Sequence, residues 1–346
     1  MNLDDFPVSE PVTAGRGKPG VVVLAMGGTL SGVSARRTDF ETYTAGRIPV
    51  AELVDHLRPE IGEVADVTAE DFGGKSSGEY TIADYHDLAR RVREHLRTAD
   101  GVVVTSGTAA LEELAYFLDL TVGGGKPVVV TGAVRPWTVL GSDGPPNLYN
   151  AVRLAADGRT GRFGTVVVFN DQILPARDAT KTDSLRLHAF GTREYGVLGT
   201  VDEKEIRLQR APARPGPPGP APFDLSVLAR EELPRVEIVA TYADAGGEAI
   251  TASAEAGVAG IVLAGTPSPR QLEAAREAAL WHGVVFVAAN RYGAGATRVE
   301  TDKIDVISAG DLGPHKARIL LLLARAESSD PARIRERFAT VGNAQF

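Results

Sequence analysis

The sequence predicts an α/β protein of two domains, a larger N-terminal and a smaller C-terminal one, each around a mainly parallel sheet. Short valine-rich runs alternate with segments of helical periodicity, the pattern of βαβ units whose helices cover both faces of a sheet. A stretch holding Pro212, Pro215, Pro217, Pro218, Pro220 and Pro222 interrupts the alternation with the extended, semi-rigid composition of an interdomain connection. Beyond it the alternation restarts. The 346 residues, 43% hydrophobic and 24% charged, suffice for more than one core. The predicted division is a flexible segment over 1–19, an N-terminal domain over 20–210, a linker over 211–233 and a C-terminal domain over 234–346.

Taken in order, Gly20-Val21-Val22-Val23-Leu24 reads as the first buried strand, followed by a Gly/Ser/Arg/Thr-rich stretch and a helix near 50–57. Thr81 with Asp84 three residues on forms an N-terminal cap signature. The helix it opens places Ile82, Tyr85, Leu88, Ala89, Val92 and Leu96 on one apolar face. A strand over 102–105 follows, then a helix with Leu111, Leu114, Ala115 and Leu118 inward. Strands are predicted over 126–131 and 163–169, with a helix near 147–156 between them, and residues 167–201 read as loops and short extended pieces. After the linker come strands over 236–241, 260–263 and 284–288, and helices over 268–282, 314–326 and 331–339. No internal repeat is present.

Composition narrows the function. A net charge of −8 without a clustered basic face argues against nucleic-acid binding. The absence of cysteine excludes disulfides, thiolate catalysis and cysteine-ligated metal. The run from Val21 to Met26 is too short to span a bilayer, and residues 1–20 carry no apolar signal-like core, so a cytoplasmic protein is the expectation. The six histidines show no metal-ligand spacing with one another or with acids, and no metal is expected. Gly27-Gly28 lacks the remainder of a G-x-G-x-x-G fingerprint, and Gly123-Gly124-Gly125-Lys126 lacks the Ser/Thr of a P-loop.

The functional signal lies in two turns. Gly27-Gly28-Thr29 and Ser106-Gly107-Thr108 each place a threonine just past a buried-strand run, at the carboxyl edge where open α/β sheets bind ligands. Two hydroxyls delivered there suggest a nucleophile and a partner, although either threonine alone reads more readily as a turn or cap residue.

In several separated motifs the chain resembles the bacterial-type L-asparaginases, two-domain α/β amidohydrolases that use threonine. Gly27-Gly28-Thr29 matches their first motif and Tyr43-Thr44-Ala45-Gly46 their mobile-loop tyrosine. Gly107-Thr108 with Leu111-Glu112-Glu113-Leu114-Ala115-Tyr116-Phe117-Leu118 matches the second. Further matches are Gly132-Ala133-Val134-Arg135-Pro136, Asp143-Gly144-Pro145-Pro146-Asn147, Arg177-Asp178-Ala179-Thr180-Lys181-Thr182, Ser308-Ala309-Gly310 and Lys316-Ala317-Arg318. The resemblance implies catalytic roles for Thr29, Tyr43, Thr108 and Lys181, and substrate contacts from Gly28, Gly107 and Ser77 or Ser76. It implies no cofactor, a small-molecule amide substrate, and a homodimer or homotetramer with sites completed across subunits.

The departures carry as much information. The family's second motif reads Gly-Thr-Asp-Thr; here it is Gly107-Thr108-Ala109-Ala110. The aspartate that would bind the α-ammonium of asparagine is thus Ala109, and the polar residue that often follows the substrate serine is Gly78. Ser106 stands where histidine is common, and Thr266-Pro267-Ser268-Pro269-Arg270 replaces an Asn/Gly-rich turn. Losing a charge-assisted hydrogen bond costs roughly 1.5–3 kcal/mol. The expectation is an amidohydrolase whose preferred carboxamide is not free asparagine. Plain L-asparaginase stays open, with Glu79, Asp178 or Asp183 replacing the clamp, as do another biosynthetic reaction at the same site and a non-catalytic ligand- or partner-binding homologue.

Overall fold

A computed structural model describes residues 17–213, 219–297 and 305–343. The N-terminal part is built on an eight-stranded sheet. Its elements are β1 (Gly20–Gly27), α1 (Val50–His56), α2 (Arg58–Val64), β2 (Asp66–Lys75), α3 (Ile82–His95), β3 (Gly101–Thr105), α4 (Leu111–Thr121), β4 (Val128–Thr131), α5 (Gly144–Asp157), β5 (Thr165–Phe169) and β6 (Gln172–Pro175). They are completed by β7 (Thr180–Lys181), β8 (Phe190–Gly191), β9 (Gly199–Val201) and β10 (Ile206–Leu208). The strand order is β10-β9-β6-β5-β4-β3-β1-β2. Strands β5, β4, β3, β1 and β2 pair in parallel, with Val23 between Val103 and Ala69, whereas β6, β9 and β10 extend the sheet antiparallel.

The C-terminal part is a four-stranded parallel sheet, β11 (Val236–Ala240), β12 (Gly260–Ala264), β13 (Val285–Ala289) and β14 (Val306–Ser308), in sequence order. Its helices are α6 (Glu248–Glu255), α7 (Pro269–His282), α8 (Pro314–Glu327) and α9 (Pro331–Thr340). The two-domain α/β architecture expected from the sequence is therefore present. Leu320, Leu321, Leu322 and Leu323 of α8 are all buried and belong to the same apolar cluster as Leu114, Phe117 and Leu118 of α4, so one core continues from sheet to sheet.

Local chemistry accounts for most boundaries. Thr81 caps α3 by accepting from the Asp84 N–H while Asp84 Oδ2 accepts from the Thr81 N–H at 2.7 Å. Strands β3, β4 and β5 are buried along their whole length, as unbroken valine runs require when helices cover both faces. The predicted strand at 126–131 begins two residues later, at Val128, and the Lys126 ammonium donates to the Leu96 and Ala99 carbonyls.

Several elements had no counterpart in the sequence: α2, β2, α6, β10 and β14; the short extended pieces expected within 167–201 are β6, β7, β8 and β9. Strand β2 is the sheet's edge and carries Asp66, Glu70 and Asp71, charges that protect an edge and hide its periodicity. The stretch expected as linker is not free of the core, since Phe223, Leu225 and Leu228 are buried in the main cluster and the Phe223 N–H donates to the Leu120 carbonyl. No helix among the described residues is long and apolar enough to cross a membrane.

Candidate active site

Strand order places the two threonine turns. From β1 the chain moves to β2 on one side, then crosses to β3 on the other and on to β4. The order thus reverses between β1 and β3, and a crevice opens at their carboxyl ends. Thr29 follows β1 and Thr108 follows β3, so both hydroxyls flank that switch point.

Glycine makes the approach possible. Gly27 and Gly28 take φ of +86° and +78°, where a side chain is strained. A Cβ on Gly28 would fall 2.4 Å from the Gly107 nitrogen, and one on Gly107 would fall 2.9 Å from the Ser77 Cβ. The loops after β1, β3 and β2 therefore meet backbone to backbone, and Ser77 is buried against them. Ser76 is exposed instead, with its N–H donated to Glu79 Oε2 at 2.8 Å. Of the two serines, Ser77 is the one packed against the loop that carries Thr108. Gly78 is exposed, and nothing lies within 4 Å of the place its Cβ would take.

Two hydroxyl pairs form in this crevice. Thr29 Oγ1 and the Tyr43 hydroxyl share a hydrogen bond of 2.6 Å. The Tyr43 loop is held by reciprocal backbone bonds between Val33 and Thr44 and by the Gly46 N–H on the Gly28 carbonyl. Lys181 Nζ donates to Thr108 Oγ1 at 2.7 Å. The lysine arrives on β7, which pairs with β8 through Lys181 and Phe190. Burial pushes its pKa below the ordinary lysine value, and the charge of Asp183 opposes that shift. Thr29 and Thr108 are both buried, whereas the Ala109 methyl is exposed beside them. Ala110, which precedes α4, offers no side-chain cap to that helix.

A second layer supports the lysine, and the sequence reading assigned it no role. Glu112, in the first turn of α4, accepts the Lys181 backbone N–H at 3.1 Å. Burial works against its charge, but Lys316, the Thr180 hydroxyl, His315 and the Lys181 N–H together hold its carboxyl below its ordinary value. Lys316 of α8 is itself buried, and its pKa is pushed down to about 8 by desolvation against the pull of Glu112. Both residues lie within the motifs Leu111-Glu112-Glu113 and Lys316-Ala317-Arg318, so position in a motif was the available signal.

The three carboxylates considered as replacements for the missing aspartate all have partners. Glu79 accepts the Ser76 N–H, and Asp178 pairs with Arg177 at 2.8 Å. Asp183 accepts the Leu185 and Arg186 N–H groups through Oδ1 and acts on Lys181 through its charge. The altered turn at 266–270 serves as a helix start, with Ser268 capping α7 and Pro269 in its first turn.

Comparison with known proteins settles the lineage. The profile "Asparaginase, N-terminal" matches residues 20–214, and "Glutaminase/Asparaginase C-terminal domain" matches residues 235–338. The chain belongs to the asparaginase family. It is 38% identical over 327 residues to L-asparaginase 2 of Escherichia coli, covering 92% of each chain. It is 34% identical over 337 residues to a glutaminase-asparaginase of Acinetobacter glutaminasificans, covering 93% of this chain and 99% of that one. Among solved structures, a probable cytoplasmic L-asparaginase from Campylobacter jejuni superimposes with a TM-score of 0.88 at 36% identity, covering 93% of this chain and all of that one. As an asparaginase-family protein the chain is an amidohydrolase acting on carbon–nitrogen amide bonds.

Proposed function

We propose that this amidohydrolase uses Thr29 as nucleophile on a carboxamide that lacks a free α-ammonium group. The observation that carries the reading is a crevice in which both hydroxyl pairs are intact while the neighbouring clamp position is the Ala109 methyl. An amide is a weak electrophile, so the attacking hydroxyl must lose its proton and the oxyanion must be stabilised. Tyr43, 2.6 Å from Thr29 Oγ1, is placed to relay that proton. Backbone N–H groups of the glycine turns can reach the oxyanion without side-chain obstruction. As the threonine ester forms, the C–N bond breaks and ammonia or an amine leaves with the proton that Thr29 gave up through Tyr43, while neutral Lys181, acting through Thr108, is placed to take a proton from the water that follows. Water then cleaves the ester, restoring Thr29 and releasing the carboxylate.

Without the acid that the family pattern puts at position 109, an entering ammonium would lack one charge-assisted hydrogen bond, worth roughly 1.5–3 kcal/mol. An N-acylated or peptidyl amide brings no such charge. The test is ammonia release from L-asparagine, L-glutamine, N-acetyl-L-asparagine and simple amides. The expected result is kcat/KM at least about tenfold higher for N-acetyl-L-asparagine than for L-asparagine, the size of one charge-assisted hydrogen bond. Efficient turnover of L-asparagine would overturn the substrate assignment. It would favour the second reading, a plain asparaginase in which Asp183 supplies the missing carboxylate, and Asp183→Asn should then abolish it. No turnover of any amide would favour a binding protein.

The lysine also sets a pH dependence. As the base in the Thr108 pair, Lys181 acts when neutral, and burial favours the neutral form. The rate should therefore rise with pH through a midpoint below the ordinary lysine value and level off above it. A kcat profile that stays flat or falls across that range would rule out the neutral amine. A cytoplasmic location is also proposed, on the likeness to the Campylobacter jejuni protein. A homodimer or homotetramer is supported by Leu280, Trp281, Tyr242 and Tyr292, large side chains left exposed on the C-terminal domain.

A further inference from the structure

We propose that Glu112 and Lys316 are positioning residues that clamp the strand carrying Lys181, so that its amine meets Thr108. The inference rests on the assignment of Lys181 above and extends it to a residue of the C-terminal domain.

The chain is held on both sides of Thr180. Lys316 Nζ donates to the Ala179 carbonyl. Glu112 Oε2 accepts the Lys181 N–H at 3.1 Å, and the Thr180 hydroxyl helps to hold the Glu112 carboxyl charged. Glu112 Oε2 and Lys316 Nζ lie 3.9 Å apart, with side-chain exposures of 13% and 4%, so the clamp is screened from water. Strand β7 is two residues long and pairs with β8, and the Thr182 N–H continues that pairing on the Ala189 carbonyl; the contacts of Glu112 and Lys316 add a second anchorage from α4 and α8.

The geometry also fixes the distance that matters. Glu112 lies in the first turn of α4, and Thr108 lies three residues before that helix begins. One segment thus supplies both the hydroxyl that meets the lysine amine and the carboxylate that holds the lysine backbone. Lys316 reaches this point from α8, whose leucines share a core with α4. A buried ion pair adds little net stability over well-packed apolar residues. An apolar pair cannot, however, accept the Lys181 N–H or donate to the Ala179 carbonyl, which is why a role in positioning accounts for the charges.

The test compares Glu112→Ala, Glu112→Gln, Lys316→Met and Lys181→Ala with the wild type, using N-acetyl-L-asparagine and ammonia release, with folding checked by circular dichroism. Misplacing a catalytic group lowers kcat without weakening ground-state binding. Glu112→Ala should lose about tenfold in kcat with KM within about twofold, as expected for a shift of a fraction of an ångström. Glu112→Gln keeps an acceptor for the Lys181 N–H and should stay within about threefold of wild type. Lys316→Met should fall by about fivefold in kcat with KM unchanged. If Glu112→Ala does not fold, Lys316→Met and Glu112→Gln decide the matter. Wild-type kcat in folded Glu112→Ala or Lys316→Met overturns the proposal, as does a loss confined to KM or an equal loss in Glu112→Gln and Glu112→Ala. Lys181→Ala separates the two levels: wild-type activity there, or a wild type inert towards this probe, defeats the underlying reading, whereas an inactive Lys181→Ala beside unaffected clamp variants defeats this inference alone.

Discussion

Replacing Thr29 by alanine should reduce amide turnover by at least about 10³-fold, the scale seen when a nucleophile is removed from a covalent mechanism. The substitution removes the hydroxyl that Tyr43 contacts at hydrogen-bond distance, leaving the Lys181–Thr108 pair untouched. Because Thr29 is buried but small, losing its hydroxyl and methyl should leave folding largely intact. The substrate should still bind, so the loss belongs in kcat and not in KM. Wild-type protein mixed rapidly with substrate should show a burst if ester formation outpaces its hydrolysis, and Thr29→Ala should show none. Retained turnover in Thr29→Ala would move the nucleophile to Thr108, the alternative the geometry allows.

Much of this fold was legible because its signals are local. The valine runs of β1, β3, β4 and β5 and the capped start at Thr81 each announce themselves within about ten residues. What escaped was decided at a distance. Strand β2 has an acidic, half-exposed pattern and becomes a strand by pairing with β1, from Gly20 with Asp66 onwards. Strands β7 and β8 are two residues each, too short for any periodicity. Phe223 and Leu228 follow a proline-rich run whose composition suggests solvent, yet their side chains fill the core.

The site shows the same division. Thr29 and Thr108 could be found because each follows a strand and a glycine, and sheet order then brings their turns together. The pairing of Lys181 with Thr108 spans 73 positions and no spacing rule predicts it. Resemblance supplied the residue, and the structure supplies the contact. Ser76 and Ser77 could not be separated from sequence because neighbours in a short turn differ only in direction. In the structure Gly107 packs against Ser77, whereas Ser76 is exposed.

Installing the missing acid is the sharpest test of substrate choice. In Ala109→Asp combined with Gly78→Gln, kcat/KM for L-asparagine should rise by about ten- to a hundredfold, the value of one charge-assisted hydrogen bond to the substrate ammonium. Both positions can take the larger side chain: Ala109 is exposed, and the space around Gly78 is open. The gain should appear for asparagine and not for N-acetyl-L-asparagine, which has no ammonium for the new carboxylate to bind. A second consequence follows at Lys181. A carboxylate beside the amine favours its charged form, as Asp183 already does, so the alkaline midpoint of the kcat profile should move upward. Both shifts have the same cause, one negative charge placed beside Thr108. If asparagine turnover stays unchanged while the midpoint moves, the acid has been installed but the substrate ammonium lies elsewhere, and Ala109 is not what excludes free asparagine.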